Sequence, residues 1–353
     1  MKRVLCFFTA ALFALILAGC EAADNSTTDN GGTASVESPE ITDPINIPDA
    51  ANRAEWAGFR SSPYGFGDGG FPSKQSWKLY VDKMKSFYKK NATENSNGTL
   101  VWIVGVVTNE PDMPGISCYV NFPKPKEISV PKGLAFSDTD ENEKYFKAFD
   151  DAGYKVWLQV ESGNVDIVEL AKVVMNQYKG HKCIRGFGID VEWYKNVTDG
   201  EPGTPIDDET AALVDAEVKK ANKGYSVFVK HWRQDYLPSE YRGTDNDMIF
   251  VTDSQGFKNL DSAVKYYREW AEYYTPNPVF FQIGYYARSR NQEDVEGSGR
   301  DEKIWKAFDK PLQDFGQAIL DGMLESSVKA VKTQKKGIIW VDFTLKDAYN
   351  LSK

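Results

Sequence analysis

Two patterns of hydrophobic spacing alternate along the chain. Eight short runs rich in Val, Ile, Phe and Trp have the length and composition of buried strands. They lie at Trp56–Arg60, Leu100–Val107, Lys155–Glu161, Gly186–Glu192, Ser226–Trp232, Met248–Asp253, Val279–Tyr285 and Gly337–Phe343. Between most of them, apolar residues recur with the period of a helix. These segments are Lys74–Lys89, Glu141–Ala152, Asp166–Gln177, Asp207–Ala221, Leu260–Tyr274 and Gln313–Thr333.

Strands that alternate with helices predict a parallel sheet and an α/β fold. Eight such strands in about three hundred residues predict a (β/α)8 TIM barrel, formed as a single domain by residues 51–353. A doubly wound open sheet is the alternative. It is disfavoured because the glycines of Gly65-Phe66-Gly67-Asp68-Gly69-Gly70 do not have the spacing of a dinucleotide-binding fingerprint, and we interpret this segment as a loop.

The first twenty residues have the layout of a secretory signal. Lys2 and Arg3 precede an apolar run from Val4 to Leu17, and small residues lead to Cys20. The run is shorter than the roughly 20 residues that a membrane-spanning helix needs. The tetrad Leu17-Ala18-Gly19-Cys20 resembles the lipobox of bacterial lipoproteins, which implies removal of residues 1–19 and acylation of Cys20. An ordinary signal peptide with a chance cysteine is the alternative.

Residues 20–50 are rich in Asn, Ser, Thr, Asp, Gly and Pro. Such a segment buries too little apolar surface to offset its ordering entropy, so we expect a disordered tether from Cys20 to the barrel. A flexible tether of this length reaches roughly 30 Å. The expected product is an exported, membrane-anchored lipoprotein of the bacterial cell envelope that contacts the membrane through its lipid anchor only.

Charge and cysteine content narrow the possible partners. The chain has a net charge of -9, which becomes -11 when Lys2 and Arg3 are removed with the signal. An acidic chain repels nucleic acid and anionic lipid, so neither is expected as a main partner. Cys118 and Cys183 would be the remaining unmodified cysteines, too few for a disulfide scaffold. We expect two separate buried thiols, no cofactor and a monomer.

Enzymes with this barrel carry their active sites at the carboxyl ends of the strands. Nearly all the predicted strands end in polar or aromatic residues, a pattern that stability alone does not require. We predict Glu192, Asp190 and Glu161 as catalytic residues. The predicted substrate-binding residues are Arg60, Trp193, Tyr194, Lys230, Trp232, Asp253, Gln282, Tyr285, Trp340 and Asp342. Their aromatic rings would stack on sugar rings or, alternatively, fill the core.

The fourth strand suggests a chemistry. Side chains alternate across a strand, so Gly188, Asp190 and Glu192 are expected to point into the barrel. Two carboxylates one pleat apart, roughly 6–7 Å, cannot both ionise freely, and one pKa should rise. A protonated carboxyl beside an ionised one suits acid catalysis at an acetal. We predict Glu192 as the general acid and Asp190 as the group that orients it or the substrate.

Three alternatives stay open for these carboxylates. Asp190 or Glu192 could form a structural ion pair with Arg60 or Lys230, and Glu161 could be either a second catalytic carboxylate or a partner of Lys230. A hard cation is possible, since carboxylates suit it. No zinc site is expected, because the chain has two histidines and neither His-x-x-x-His nor Cys-x-x-Cys spacing. The histidine on the fifth strand is expected to be structural.

Asp190-Val191-Glu192, after Gly188-Ile189, resembles the end of the Asp-x-Asp-x-Glu signature of family 18 glycoside hydrolases, the chitinases and endo-N-acetylglucosaminidases. The resemblance implies that Glu192 is the acid/base and that Asp190 steadies the substrate's own N-acetyl group, which attacks the anomeric carbon. It also implies that Trp340 floors the sugar site and that Gln282 and Tyr285 contact the sugar. The signature's earlier Asp positions are Arg185 and Gly188 in this chain.

A weaker resemblance is to family 25 lysozymes, which also carry Asp-x-Glu on strand four but have a further Asp on the first strand. Here that region reads Gly58-Phe59-Arg60. Together these features predict a cell-surface glycosidase acting on N-acetylated or cell-wall glycans. The first alternative is a non-catalytic glycan-binding lipoprotein on a degenerate barrel, and the second is a structural lipoprotein with no sugar site.

Overall fold

The computed structural model describes residues 51–62, 73–126, 128–286 and 301–352. The signal segment 1–19, Cys20, the tether 20–50 and the glycine-rich segment 65–70 lie outside these residues. Within the described part, no helix is both long and apolar enough to cross a membrane.

Eight parallel strands close into a barrel, with a two-strand extension at one rim. In chain order the strands are β1 (Trp56–Ser61), β2 (Asn97–Val107), β3 (Cys118–Val120), β4 (Leu134–Phe136), β5 (Lys155–Val160), β6 (Ile184–Asp190), β7 (Ser226–Lys230), β8 (Ile249–Thr252), β9 (Val279–Ile283) and β10 (Lys336–Val341). The barrel runs β1-β2-β5-β6-β7-β8-β9-β10 and closes where β10 pairs with β1. This is the predicted (β/α)8 TIM barrel.

The helices lie outside the barrel. They are α1 (Lys74–Phe87), α2 (Glu143–Ala152), α3 (Ile167–Tyr178), α4 (Asp208–Ala221), α5 (Leu260–Tyr274), α6 (Asp301–Trp305), α7 (Pro311–Asp321) and α8 (Leu345–Leu351). The prediction of one helix over Gln313–Thr333 is wrong. There α7 ends at Asp321, and two 3-10 segments follow, separated by residues 326–328, of which Ser326 and Val328 are extended. The Ser326 hydroxyl accepts the Val328 N–H, a local bond that competes with a continuous helix.

Local signals mark several helix ends. The Asp166 side chain accepts the N–H groups of Val168 and Glu169 at the start of α3. Asn259 and Ser262 form a capping box at the start of α5. Gly153 ends α2 with φ 71°, a left-handed conformation that glycine adopts without strain.

Two hydrophobic layers hold the barrel. One lies between the strands and the helices. The other fills the amino-terminal part of the barrel interior with Val101, Trp157, Phe228, Ile249, Val251, Phe280 and Ile339, with Trp56 packed against them. Glycines make room for the rings, because a Cβ at Gly188 would lie 1.9 Å from the Phe228 ring. The inner face of β6 therefore has no side chain at Gly188, and its next inward residue is Asp190.

Cys118 and Cys183 are both buried and unpaired with each other. Cys118 is registered with Val107 at the carboxyl end of β2. Cys183 immediately precedes β6, so the two thiols belong to opposite ends of the barrel.

Candidate active site

A buried ionic cluster lies at the carboxyl end of the barrel, built from three consecutive strands. Lys230, the last residue of β7, places its Nζ 2.9 Å from Asp190 Oδ2 and 2.5 Å from Asp253 Oδ2. The Gln159 amide on β5 donates to Asp190 Oδ2 at 3.0 Å. Asp190, Lys230 and Asp253 are exposed by only 1%, 2% and 4%. Of the alternatives for Asp190, the ion pair with Lys230 is the one observed.

The pKa values of the two aspartates in this cluster are shifted in opposite directions. Burial raises the pKa of Asp190, and Lys230 only partly opposes that effect. Burial also disfavours the charge of Asp253, but attraction and hydrogen bonding by Lys230 outweigh it and lower the pKa of that carboxyl. Although burial opposes its charge, Lys230 has a pKa well above its usual value because two aspartates face it. Asp190 is therefore the carboxyl that takes up a proton more readily.

A second set of charged side chains lies at the carboxyl ends of β1, β5 and β10. Arg60 places a guanidinium nitrogen 3.6 Å from Glu161 Oε1, and the Val107 N–H approaches Glu161 Oε2 at 3.4 Å. Asp342 accepts the Ser62 N–H at 2.6 Å, and the Ser62 hydroxyl as well. Burial raises the pKa of Asp342 to about 7. The observed ion-pair partner of Glu161 is Arg60 rather than Lys230.

Glu192 lies just beyond the cluster. Strand β6 ends at Asp190, and Val191–Trp193 form a 3-10 turn. The prediction that Asp190 and Glu192 project from one continuous pleat is therefore wrong, because alternation holds only while the chain remains a strand. Glu192 is half-buried, whereas Asp190 is almost completely buried.

Backbone contacts hold the turn that carries Glu192. The Asn196 amide donates to the Glu192 carbonyl at 3.0 Å, and the Lys195 N–H donates to the Gly163 carbonyl at 2.9 Å. The Tyr194 ring is buried, with the Lys195 ammonium 4.9 Å from its centroid, so it offers no open face to a sugar. The predicted stacking role of Tyr194 is therefore wrong. Trp193 is also mostly buried.

His231 has a structural role. The Arg233 N–H donates to His231 Nδ1 at 2.9 Å, so the ring proton lies on Nε2 and is donated to the Pro202 carbonyl at 3.0 Å. The ring stacks between Trp232 and Tyr236, with centroids 4.0 and 4.3 Å away. Burial lowers the pKa of His231 to about 4, so the ring is neutral near pH 7.

Trp232 borders an open groove of about 850 Å³ between the segment after β7 and helix α5. Tyr266 and Tyr273 line it together with the carboxylates of Glu269 and Glu272. Tyr273 is 52% exposed. Sequence reasoning found only Trp232 of this set. The signal it overlooked is the tyrosines and glutamates on the polar side of α5.

Trp340 lies outside the barrel interior. It is completely buried, packs edge-on against Trp305 and Phe315, and donates its indole N–H to Thr344 at 2.8 Å. The prediction that Trp340 floors a sugar site is wrong, because the residue points from β10 towards the helices. A Cβ on Gly284 would lie 2.2 Å from this ring, so only glycine permits the packing.

Gln282 and Tyr285 lie next to each other at the end of β9. The Gln282 amide donates to the Tyr285 hydroxyl, and both side chains are buried. Trp305 donates its indole N–H to the Tyr285 carbonyl at 3.1 Å. Gln282 and Tyr285 therefore add polar groups to the carboxyl end of the barrel but expose little surface.

Four buried side-chain oxygens of the barrel interior have no hydrogen-bond donor among the described residues. They are Gln159 Oε1, Asp190 Oδ1, Asp253 Oδ1 and Gln282 Oε1. Buried acceptors of this kind are costly unless a donor reaches them. The site can therefore receive donors, such as hydroxyl or amide N–H groups, from a ligand or from water.

Comparison with known proteins gives weak similarities. Neither models of protein families nor curated proteins match this chain. Among solved structures, a candidate α-L-fucosidase from Bacteroides thetaiotaomicron has 10% identity and a TM-score of 0.44, over 90% of this chain and 97% of that one. A calcium-binding mutant of a β-glucuronidase from Bacteroides uniformis has 10% identity and a TM-score of 0.41, over 82% of this chain and 30% of that one. At this level, neither similarity transfers an activity or a site residue.

Proposed function

We propose that this protein is a glycoside hydrolase in which Glu192 is the general acid. The observation that carries the proposal is the position of Glu192, half-buried on the turn after β6 and two residues beyond Asp190 of the buried cluster. This is the end of the barrel where (β/α)8 enzymes carry out their chemistry. A half-buried carboxyl can both exchange its proton with solvent and approach a substrate oxygen.

The neighbouring charges have supporting roles in this proposal. Lys230 and Gln159 hold Asp190 Oδ2, so Asp190 is a fixed group rather than a mobile proton carrier. Its Oδ1 is one of the acceptors without a donor, and it suits the N–H of an N-acetyl group. That feature supports the substrate-assisted mechanism implied by the resemblance to family 18, in which no second protein carboxylate attacks the sugar.

The substrate class in the proposal is N-acetylated or cell-wall glycan. The protein is also proposed to be an exported lipoprotein. A lipid on Cys20 and a tether reach of roughly 30 Å would favour glycans close to the envelope over distant soluble polymers.

Turnover of chitin-like, N-glycan and peptidoglycan fragments by the wild type and by Glu192→Gln tests the mechanism. The variant should lose at least about 10²-fold in kcat, the lower range for a general acid, and keep its unfolding temperature. Glu201→Gln is the matched control, because Glu201 is an exposed glutamate on the same loop. Equal rates for the wild type and Glu192→Gln, or no cleavage of any fragment, would reject the mechanism.

The groove beside Trp232 favours a second candidate function, glycan binding without hydrolysis. Its exposed tyrosine and half-buried tryptophan provide ring faces outside the buried cluster. This candidate predicts binding without product, affinity lost in Trp232→Ala and affinity unchanged in Glu192→Gln. A cleaved product that forms with the wild type and not with Glu192→Gln would support hydrolysis over binding alone.

A further inference from the structure

Three side chains of types that bind metal ions lie close together at the end of the barrel opposite the candidate active site. Asp150 is near the end of α2, His181 is in the loop after α3, and Cys183 immediately precedes β6. One potential ligand atom from each of these residues lies within 4.8 Å of the other two. Glu143, at the start of α2, borders the group through His181.

We propose that Asp150, His181 and Cys183 bind a zinc-like divalent transition metal ion, with Glu143 orienting the histidine. Carboxylate, imidazole and thiolate are the ligands that zinc takes from proteins, and three protein ligands leave a fourth position for water. Zinc bonds of about 2.0–2.3 Å place neighbouring tetrahedral ligands roughly 3.3–3.8 Å apart. The observed spacing therefore needs only small side-chain rotations to enclose an ion.

The contacts of His181 are also compatible with a bound metal ion. Nδ1 lies 2.8 Å from Asp150 Oδ2, and Nε2 lies 3.0 Å from Glu143 Oε2. A neutral imidazole donates to one of these two carboxylates, and an imidazolium donates to both. A metal ion bound to Nδ1 would also bind Asp150 Oδ2, and Nε2–H would donate to Glu143. A carboxylate that receives the second N–H is the usual neighbour of a metal-bound histidine.

The surroundings keep the other two ligands in place. The Cys183 N–H donates to Asp150 Oδ1 at 2.6 Å, which leaves Oδ2 on the side of the histidine. The Cys183 thiol is buried, with the Phe146 carbonyl 3.7 Å away. The side chains of His181 and Asp150 are 12% and 21% exposed, so an ion can enter from solvent.

The proposed ion would connect helix α2, the loop after α3 and the start of β6. Because it would bind the folded chain and not the unfolded one, it should raise the unfolding temperature. Sequence spacing did not reveal the site, since His181-x-Cys183 is a single close pair and Asp150 lies 31 residues before the histidine. The proposal is independent of the glycosidase proposal.

Titration of the chelator-treated protein with Co²⁺ and Zn²⁺ tests the site. The wild type should bind one ion, show a near-ultraviolet cobalt–thiolate charge-transfer band and unfold at a higher temperature with Zn²⁺. Cys183→Ser should lose the band and the thermal shift. The matched control is Cys118→Ser, which replaces the other buried cysteine and should keep both signals.

Glu143→Gln is a second variant on a partly exposed side chain and should bind the ion 10–100-fold more weakly. Circular dichroism of each ion-free variant separates loss of binding from loss of folding. The proposal is rejected if the folded wild type binds no stoichiometric ion. It is also rejected if Cys183→Ser keeps the band or if Cys118→Ser alone removes it.

Discussion

Lys230 and Asp190 stand directly opposite each other on adjacent parallel strands, and their side chains form a buried ion pair of 2.9 Å. Asp253, which follows the next strand, reaches the same ammonium at 2.5 Å. One cation therefore pairs with two carboxylates inside the barrel, next to the turn that carries Glu192. Removing any one of the three changes the charge of the whole cluster.

Lys230→Met should destabilise the protein by about 3–5 kcal/mol at pH 7, because it leaves two buried carboxylates without their cation. Chemical denaturation measures the free energy of unfolding. Lys265→Met is the control, since Lys265 forms an exposed pair with Glu269 and its loss should cost less than about 1 kcal/mol. Adding Asp190→Asn to Lys230→Met should recover part of the loss. Equal stability of the two lysine variants would contradict the assignment of the cluster.

Gly188→Ala should destabilise the barrel by about 1–3 kcal/mol through overpacking. A Cβ at this position would meet the Phe228 ring, which fills the interior beneath Asp190. Gly180→Ala is the control, because its Cβ would meet nothing within 4 Å. Denaturant midpoints of the two variants compare the effects directly, and an unchanged midpoint for Gly188→Ala would show that the space beside Phe228 is open.

His231 should make the protein less stable as pH falls from about 6.5 to about 4. The pKa of His231 is lowered by burial from 6.5 to about 4 in the folded state, so the unfolded chain takes up a proton first. The full effect of this difference is about 3 kcal/mol. In His231→Gln, thermal unfolding measured from pH 7 to pH 4 should depend less steeply on pH. Parallel curves for the variant and the wild type would mean that His231 titrates normally.

Two tryptophans should respond differently to replacement by alanine. Trp340→Ala should lower the free energy of unfolding by about 3–5 kcal/mol, because the residue is completely buried against Trp305 and Phe315. Trp232→Ala should cost much less stability and should weaken glycan binding at the groove. Calorimetric unfolding and glycan titration of both variants measure the difference. If Trp340→Ala kept normal stability and lost glycan affinity, Trp340 would instead form the floor of a sugar site.

Cys20→Ser should release the protein from the membrane fraction, since the proposed anchor is a lipid attached to the Cys20 sulfur. Fractionation of cells and incorporation of labelled fatty acid measure the anchor. Cys6→Ser, which alters the cysteine inside the signal segment 1–19, should leave both unchanged. Fatty acid incorporated equally into Cys20→Ser would place the lipid elsewhere.

The sequence by itself determined the order of strands and helices. All eight barrel strands begin and end within a few residues of the predicted bounds, because their hydrophobic runs are continuous and separated by clear polar segments. The short strands β3 and β4 and the short helices α6 and α8 were not predicted. A strand of three residues, or a helix of fewer than two turns, has too few positions to show a period, and contacts with neighbouring elements stabilise it.

Only the tertiary structure decided what the side chains do. Strand β6 stops at Asp190, so strand alternation does not set the direction of the Glu192 side chain, and Trp340 packs against the helices rather than at the barrel mouth. Lys230 meets Asp190 and Asp253 across gaps of 40 and 23 residues because the neighbouring strands bring these residues to the same end of the barrel. Asp150, His181 and Cys183 meet for a similar reason. Hydrophobic periodicity is a local property and can be read along the chain, whereas charge pairing depends on distances that exist only after the barrel has closed.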